Sequence, residues 1–303
     1  MRCEMPLRSS WRCDNLIPTL PRGNGSSSRS CGNEALTDLH ERLSGKTFKL
    51  VVTQERHNRA FPRGSVGTRL LMKTLFITGT NTEVGKTHVA AMLARSLVER
   101  GTRVGIYKPV ASGCRKKDGE LIADDAVALW EAAGRPSTLE QVCPQRFTAP
   151  VSPPTSAALE GKSVDARLLR TGLDYWRENY EVTLVEGAGG LMSPLSEEDF
   201  NIDLARELGG PIIIVAANRL GVINATLQTI ITAKTQAAEC PIAGVVLNQV
   251  TPNENDASLA TNAIELAGQL RSVGNVTLLA SVGFGEERFA EPIDWGSLLV
   301  RNQ

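Results

Sequence analysis

Four short stretches of the chain carry residue types that could grip phosphate and a divalent cation. Gly79-Thr80-Asn81-Thr82-Glu83-Val84-Gly85-Lys86-Thr87 lies between an apolar stretch and a helical pattern. In that setting, backbone N–H groups of the glycine-containing loop and of the helix N-terminus can surround phosphate oxygens. Lys86 would reach the β- and γ-phosphates as a point charge, and Thr87 would place its hydroxyl on Mg²⁺. The strict spacing GxxxxGK[ST] puts the first glycine at position 80, which is Thr80, whereas Gly79 stands one residue earlier. The bland alternative is a strand–turn–helix junction that happens to carry Gly-Lys-Thr. Two glycines between a strand and a helix argue against it.

The stretch Tyr107-Lys108-Pro109-Val110-Ala111-Ser112-Gly113 closes a second strand. Pro109 cannot continue a ladder comfortably and fixes a turn. Lys108 is thereby placed at a strand tip beside the phosphate loop. Asp124-Asp125 opens a helix, where the dipole favours acids in any case. Leu184-Val185-Glu186-Gly187-Ala188-Gly189-Gly190 sets an acid at the tip of a buried strand, a position suited to holding Mg²⁺. Its three glycines let the backbone approach a ligand closely.

These residues work together only if the strands before them end at one edge. Strands are expected at Lys73 to Thr78, Arg103 to Tyr107, Val182 to Val185, Pro211 to Ala216, Ile242 to Leu247 and Val276 to Leu279. Helices are expected at Lys86 to Arg100, Leu121 to Ala133, Val164 to Tyr180, Ile202 to Leu208, Ile223 to Ala238 and Ala257 to Leu270. The strands are near-continuous apolar runs and alternate with helices. That combination signals an α/β fold, a mostly parallel sheet with helices on both faces. Ligands of such sheets sit beyond the carboxyl ends of the strands.

Composition narrows the partners. Lys+Arg and Asp+Glu balance at 33 each among 303 residues, so no charge bias points to nucleic acid or anionic lipid. No run approaches the ~18–20 apolar residues of a membrane span. Six cysteines are scattered without a CxxC pair. Cys114, Cys143 and Cys240 read as reduced thiols of a cytoplasmic protein. His40, His57 and His88 are too dispersed for a metal cluster. Residues 1–71 are rich in Arg, Ser, Gly and Pro without periodicity, and read as a disordered or non-native extension ahead of a domain at 72–303. A start placed upstream of Met72 would explain them. A transit peptide fits less well, because Glu4, Asp14, Glu34, Asp38, Glu41 and Glu55 are present.

The loop Gly-Thr-x-Thr-x-Val-Gly-Lys-Thr, the Lys-Pro-Val-x-Ser-Gly stretch and Glu-Gly-Ala-Gly-Gly together resemble the dethiobiotin synthetases over about Lys73 to Ala280. The resemblance implies a P-loop NTPase-like fold and an ATP-dependent ligase. One amine of 7,8-diaminopelargonate would capture CO₂ as a carbamate. The carbamate would attack the ATP γ-phosphate, and the second amine would close the ureido ring and expel phosphate. By the same resemblance Lys108 and Lys86 are catalytic. Glu83, Val84, Gly85, Lys86, Thr87, His88, Asp125, Glu186, Gly187, Ala188, Gly189 and Asn248 bind the nucleotide and its metal. Thr87, Asp125 and Glu186 hold Mg²⁺, supplying only oxygens. Thr82, Ser112, Gly189, Gly221 and Asn224 contact the diamine, with Phe147 to Pro153 packed beside it. The start of the helix after Gly221 would lie at a homodimer interface. Many members carry Gly-x-Ile-Pro after the last strand, where this chain has Ala280-Ser281-Val282-Gly283-Phe284-Gly285, which puts the base contacts in question.

Two rivals share related loops. A cobyrinic acid amide synthetase needs a glutaminase domain with Cys and His, and neither residue type follows Asn248. A partitioning ATPase carries a signature lysine early in the loop, where Asn81 stands here.

Overall fold

A computed structural model describes residues 73–252 and 257–294. The expected extension 1–71, Met72 as a start and the end of the 72–303 domain lie outside the described residues.

The chain runs from β1 (Lys73–Gly79) through a loop into α1 (Lys86–Val98) and on to β2 (Val104–Tyr107). A two-residue strand β3 (Val110–Ala111) and a hairpin of β4 (Arg115–Lys117) and β5 (Glu120–Ile122) precede α2 (Asp124–Ala132). Then come α3 (Leu139–Val142), β6 (Gln145–Arg146), α4 (Pro153–Leu159) and α5 (Ala166–Asn179). The remainder alternates: β7 (Val182–Gly190), α6 (Asn201–Leu208), β8 (Ile212–Ala217), α7 (Val222–Gln236), β9 (Ile242–Asn248), α8 (Ala257–Ser272) and β10 (Leu278–Val282).

Six strands form one sheet in the order β10-β9-β8-β1-β7-β2, every pairing parallel. All of β8 and all of β2 are buried, as runs without polar alternation require. The β1-to-β2 connection crosses the sheet in one direction, and the connections β7–β8, β8–β9 and β9–β10 run in the other. Parallel crossovers are right-handed, so α1 covers one face and α6, α7 and α8 the opposite one. The reversal falls at β1, flanked by β7 and β8. A crevice opens beyond the carboxyl end of a strand at such a switch point. The expected α/β architecture is the one found.

Three boundaries differ from expectation. The strand expected at Val182 to Val185 runs on to Gly190, because Glu186 and Gly190 keep pairing with Ile77 and Gly79 of β1. Leu121 and Ile122 pair in the β4–β5 hairpin, and α2 begins only at Asp124. The cause is Asp118-Gly119, both at positive φ (52° and 86°), the turn chemistry of a tight hairpin. The last strand runs later than Val276 to Leu279, so Ala280, Ser281 and Val282 pair with β9 instead of following the strand as a loop. No helix among the described residues is long and apolar enough to cross a membrane.

The tip of β2, where Lys108 emerges, is held by α5. Asp165 Oδ1 starts that helix by accepting the N–H groups of Arg167 and Leu168 at 2.9 and 3.0 Å. The helix buries Leu169, Leu173 and Trp176. The Tyr107 hydroxyl donates to Leu168 O at 2.7 Å, and the Trp176 indole N–H donates to Gln141 O at 3.3 Å. Trp176→Ala is expected to cost about 3–5 kcal/mol of stability, the range for emptying a large aromatic from a core. Urea unfolding measures it, and a loss below about 1 kcal/mol would show that α5 does not brace the tip of β2.

Candidate active site

The loop between β1 and α1 is bound on three sides. Thr80 N–H donates to Val215 O of β8 at 2.9 Å. Asn248, the last residue of β9, donates from Nδ2 to Val84 O at 3.0 Å. On the β7 side the two backbones nearly touch: a Cβ on Gly190 would lie 3.3 Å from Gly79 O and 3.5 Å from Thr80 O. Gly85 closes the loop in the left-handed region, at φ 80°, and brings no side chain to cap α1. The first-turn N–H groups at Lys86, Thr87 and His88 therefore have no side-chain cap, the arrangement that receives an anion. Glu83 also takes a left-handed φ, 58°, the only non-glycine residue of the loop to do so.

Beyond the strand tips the charged residues converge. Lys108 is 2 % exposed, and its Nζ lies 2.5 Å from Glu186 Oε1 and 3.0 Å from Asp125 Oδ2. Thr87 Oγ1 donates to the same Glu186 Oε1 at 3.0 Å. Glu186 is 1 % exposed, and its Oε2 is buried without a hydrogen-bond partner. Lys86 is buried beside them. The site thus joins Lys86 and Thr87 of α1, Lys108 just after β2, Asp125 of α2 and Glu186 of β7.

The two lysines are tuned differently. Burial disfavours the charge on Lys108, but the carboxylates of Glu186 and Asp125 outweigh it and hold its pKa above the ordinary lysine value. Burial pulls Lys86 below its usual value, with Glu186 only partly offsetting it and the like charge of Lys108 adding to the fall. Lys108 holds Asp125 below the usual carboxylate range, against the effect of burial. Burial pushes the Cys143 thiol up to about 12, which leaves it no thiolate for chemistry near pH 7. Cys114, Cys143 and Cys240 are buried and form no disulfide among the described residues.

Most of the remaining expected residues gather around this cluster. Thr82 is exposed and faces Gly189: a Cβ on Gly189, at φ 76°, would stand 3.6 Å from Thr82 Oγ1. Ser112 is half-buried in a segment laced to Phe147–Ala149, with Gly113 N–H on Ala149 O at 3.0 Å and Cys114 N–H on Phe147 O at 2.9 Å. Glu160 steadies that segment by accepting from Thr148 N–H and Oγ1 at 2.8 and 2.9 Å. His88 Nε2 lies 2.7 Å from Glu286 O, and Glu286 Oε2 accepts the N–H of Gly283 at 2.9 Å. The altered segment therefore reaches the start of α1. Gly221 and Asn224 stand apart, exposed at the N-terminus of α7, and no hydrogen bond among the described residues joins them to the cluster. Gly187 and Ala188 have a partner the sequence reading missed. Asn201 Oδ1 accepts the Ala188 N–H at 3.0 Å, and a Cβ on Gly187 would lie 2.2 Å from that oxygen. A lone asparagine at a helix start gave no signal of this.

The chain matches the AAA domain family over residues 73–285. A protein of Rhodopirellula baltica named ATP-dependent dethiobiotin synthetase BioD is 46% identical over 202 residues, covering 63% of this chain and 78% of that one. A protein of the same name from Thermodesulfovibrio yellowstonii is 35% identical over 194 residues, covering 62% and 80%. One from Endomicrobium trichonymphae is 34% identical over 229 residues, covering 74% and 99%.

Gly85→Ala meets two obstacles at once: a left-handed φ of 80° and a Cβ only 2.1 Å from Asn248 Nδ2. The variant is expected to bind Mg-ATP at least about tenfold more weakly, because the open turn of α1 must shift. Isothermal titration calorimetry reads this directly, and unchanged affinity would remove the loop from the nucleotide site.

Proposed function

The chain belongs to the AAA domain family and, within it, to the ATP-dependent dethiobiotin synthetases, and we propose that Lys86, Lys108, Thr87, Asp125 and Glu186 form its reaction centre. The reaction is the ATP-dependent ring closure of 7,8-diaminopelargonate with CO₂ to dethiobiotin, in biotin synthesis. The observation that carries the proposed centre is the buried Lys108, held between Glu186 and Asp125 beyond the tips of adjacent strands.

The chemistry divides among these residues as follows. One amine of the diamine adds to CO₂ and loses a proton, giving a carbamate. The carbamate oxygen attacks the γ-phosphorus, the bond to ADP breaks, and a carbamic–phosphoric anhydride results. The second amine attacks the carbonyl carbon, and phosphate leaves as the ureido ring closes. Carbamate and γ-phosphate are both anionic, so cations must lie between them. Lys108 supplies a fixed charge where the two meet, and Lys86 lies along the phosphates. Thr87, Asp125 and Glu186 would hold Mg²⁺, which when bound neutralises charge on the β- and γ-oxygens. The buried, unpartnered Glu186 Oε2 and an all-oxygen donor set fit such an ion. Asn248, with Oδ1 buried and open, suits the amino edge of adenine.

Thr82, Ser112 and Gly189 line the diamine side. Gly221 and Asn224 serve the substrate of a neighbouring subunit in a homodimer. This is supported by the uncapped N-terminus of α7, which suits a carboxylate, and by Leu220 beside it, 85 % exposed. A cytoplasmic setting accords with buried cysteines that form no disulfide among the described residues, and residues 1–71 are an extension outside this chemistry.

Lys108→Ala should lower kcat by about 10²–10³-fold, the size of effect seen when one preorganised charge-stabilising donor is lost, while KM for ATP changes far less. The assay is phosphate release from Mg-ATP and bicarbonate, with and without 7,8-diaminopelargonate. Release should depend on the diamine and match dethiobiotin formed. Diamine-independent release would remove the ligase reading, and an unchanged kcat in Lys108→Ala would remove the assigned role.

A further inference from the structure

We propose that Asn201 is a positioning residue of this site: it fixes the backbone of Ala188–Gly190 against the phosphate loop and thereby sets the seat of the diamine. The inference rests on the reading of the site given above and deepens it. Asn201 is 0 % exposed and opens α6, yet its amide is spent on the strand end and not on its own helix. Nδ2 donates toward Ala188 O at 2.7 Å, Gly190 O at 2.8 Å and Ser193 O at 3.1 Å. Oδ1 accepts the N–H of Ala188 at 3.0 Å. An asparagine amide offers two N–H donors and a carbonyl, and every one of them is used on the segment 188–193. Gly187 records the contact, because any Cβ there would lie 2.2 Å from Asn201 Oδ1. That glycine makes room for an asparagine. Ser193 adds a second tie, with its Oγ accepting the N–H of Gly190 at 2.9 Å.

What the clamp holds is functional surface. Gly190 packs on the backbone of Gly79 to Asn81, and the Cβ position of Gly189 is 3.6 Å from Thr82 Oγ1. Two residues before Ala188 is Glu186, which binds Lys108 and Thr87. The far end of the clamp is anchored too. Arg170 of α5 donates from Nη2 to Asp199 Oδ1 at 2.7 Å and to Glu207 Oε1 at 2.9 Å, and Phe200 N–H caps on Asp203 Oδ2 at 3.0 Å. An aspartate at position 201 would turn an oxygen toward the carbonyls of Ala188 and Gly190, and a serine would not span the gap.

The test measures dethiobiotin formation by the full chain and by Asn201→Asp and Asn201→Ser, at a temperature where melting curves show each folded. The expected result is a rise of at least tenfold in KM for 7,8-diaminopelargonate, with KM for ATP within twofold of wild type. Leu270→Ala, a cavity in α8 away from the segment, is the reference for a merely structural defect: it should lower the melting temperature and leave both KM values in place. An active wild type whose Asn201 variants behave like Leu270→Ala overturns the inference alone. A wild type that forms no dethiobiotin overturns the reaction reading and the inference with it. Should neither Asn201 variant fold, Ser193→Ala is read against the same two outcomes.

Discussion

The buried pair of Lys108 and Glu186, joined from the exposed side by Asp125, sets the terms for everything around it. Taking charges out of water costs several kcal/mol per ion after relaxation, and only close, well-directed partners offset that. Lys108 meets the requirement with carboxylate oxygens at 2.5 and 3.0 Å, from β7 and α2 respectively. Such geometry depends on register. Tyr107 pairs with Val185 and Ile77 with Glu186, so Lys108 leaves β2 at the level of Glu186, while β1 and β7 run on together to Gly79 and Gly190. A slip of one residue would send Glu186 to the other face of the sheet and leave Lys108 buried and unpaired. The apolar strands make the sheet, and the ion cluster tolerates only one alignment of it.

Where strands stop, backbone groups lose their ladder partners and must find others. Two asparagines meet that need, in different ways. Asn201 has committed its donors and its acceptor to Ala188, Gly190 and Ser193, so it holds a shape. Asn248 has committed Nδ2 to Val84 O while its Oδ1 is buried and open. A buried polar atom without a partner is costly, and Asn248 Oδ1 is an acceptor that the proposed nucleotide contact would satisfy. The same chemical group is structural in one place and receptive in the other, and the difference lies in how many of its hydrogen bonds the chain itself supplies.

Strand tips, loop and acids were legible in the sequence because each follows a local rule. Apolar runs marked β1, β2, β8 and β9 and the first half of β7; Gly85-Lys86-Thr87 stood in the loop after β1, and Glu186 directly after the apolar run of β7. The β4–β5 hairpin was missed although Asp118-Gly119 announces it, because Leu121 and Ile122 also fit the helical period of α2. The late end of β10 escaped because Ala280 and Ser281 have weak strand preference, and only pairing with β9 makes them strand. The reading of three glycines as room for ligand was incomplete for a deeper reason. What crowds Gly187 is Asn201, fourteen positions away and on another element, and no local pattern carries that information.

Lys86 and Lys108 show how far environment divides two identical side chains. Both are buried within one small site, yet their proton affinities move in opposite directions. Lys108 has its counter-charges built in, so its cation exists whether or not a ligand is present. Lys86 forms no ion pair among the described residues and pays for burial without full compensation. The missing counter-charge is what a nucleotide phosphate would bring, at the open first turn of α1. A site with both lysines fully paired would have no electrostatic reason to take up an anion. One with neither paired would not hold two buried cations while empty. The division between a lysine that is satisfied and a lysine that is waiting lets the same few residues be stable without substrate and attractive to it.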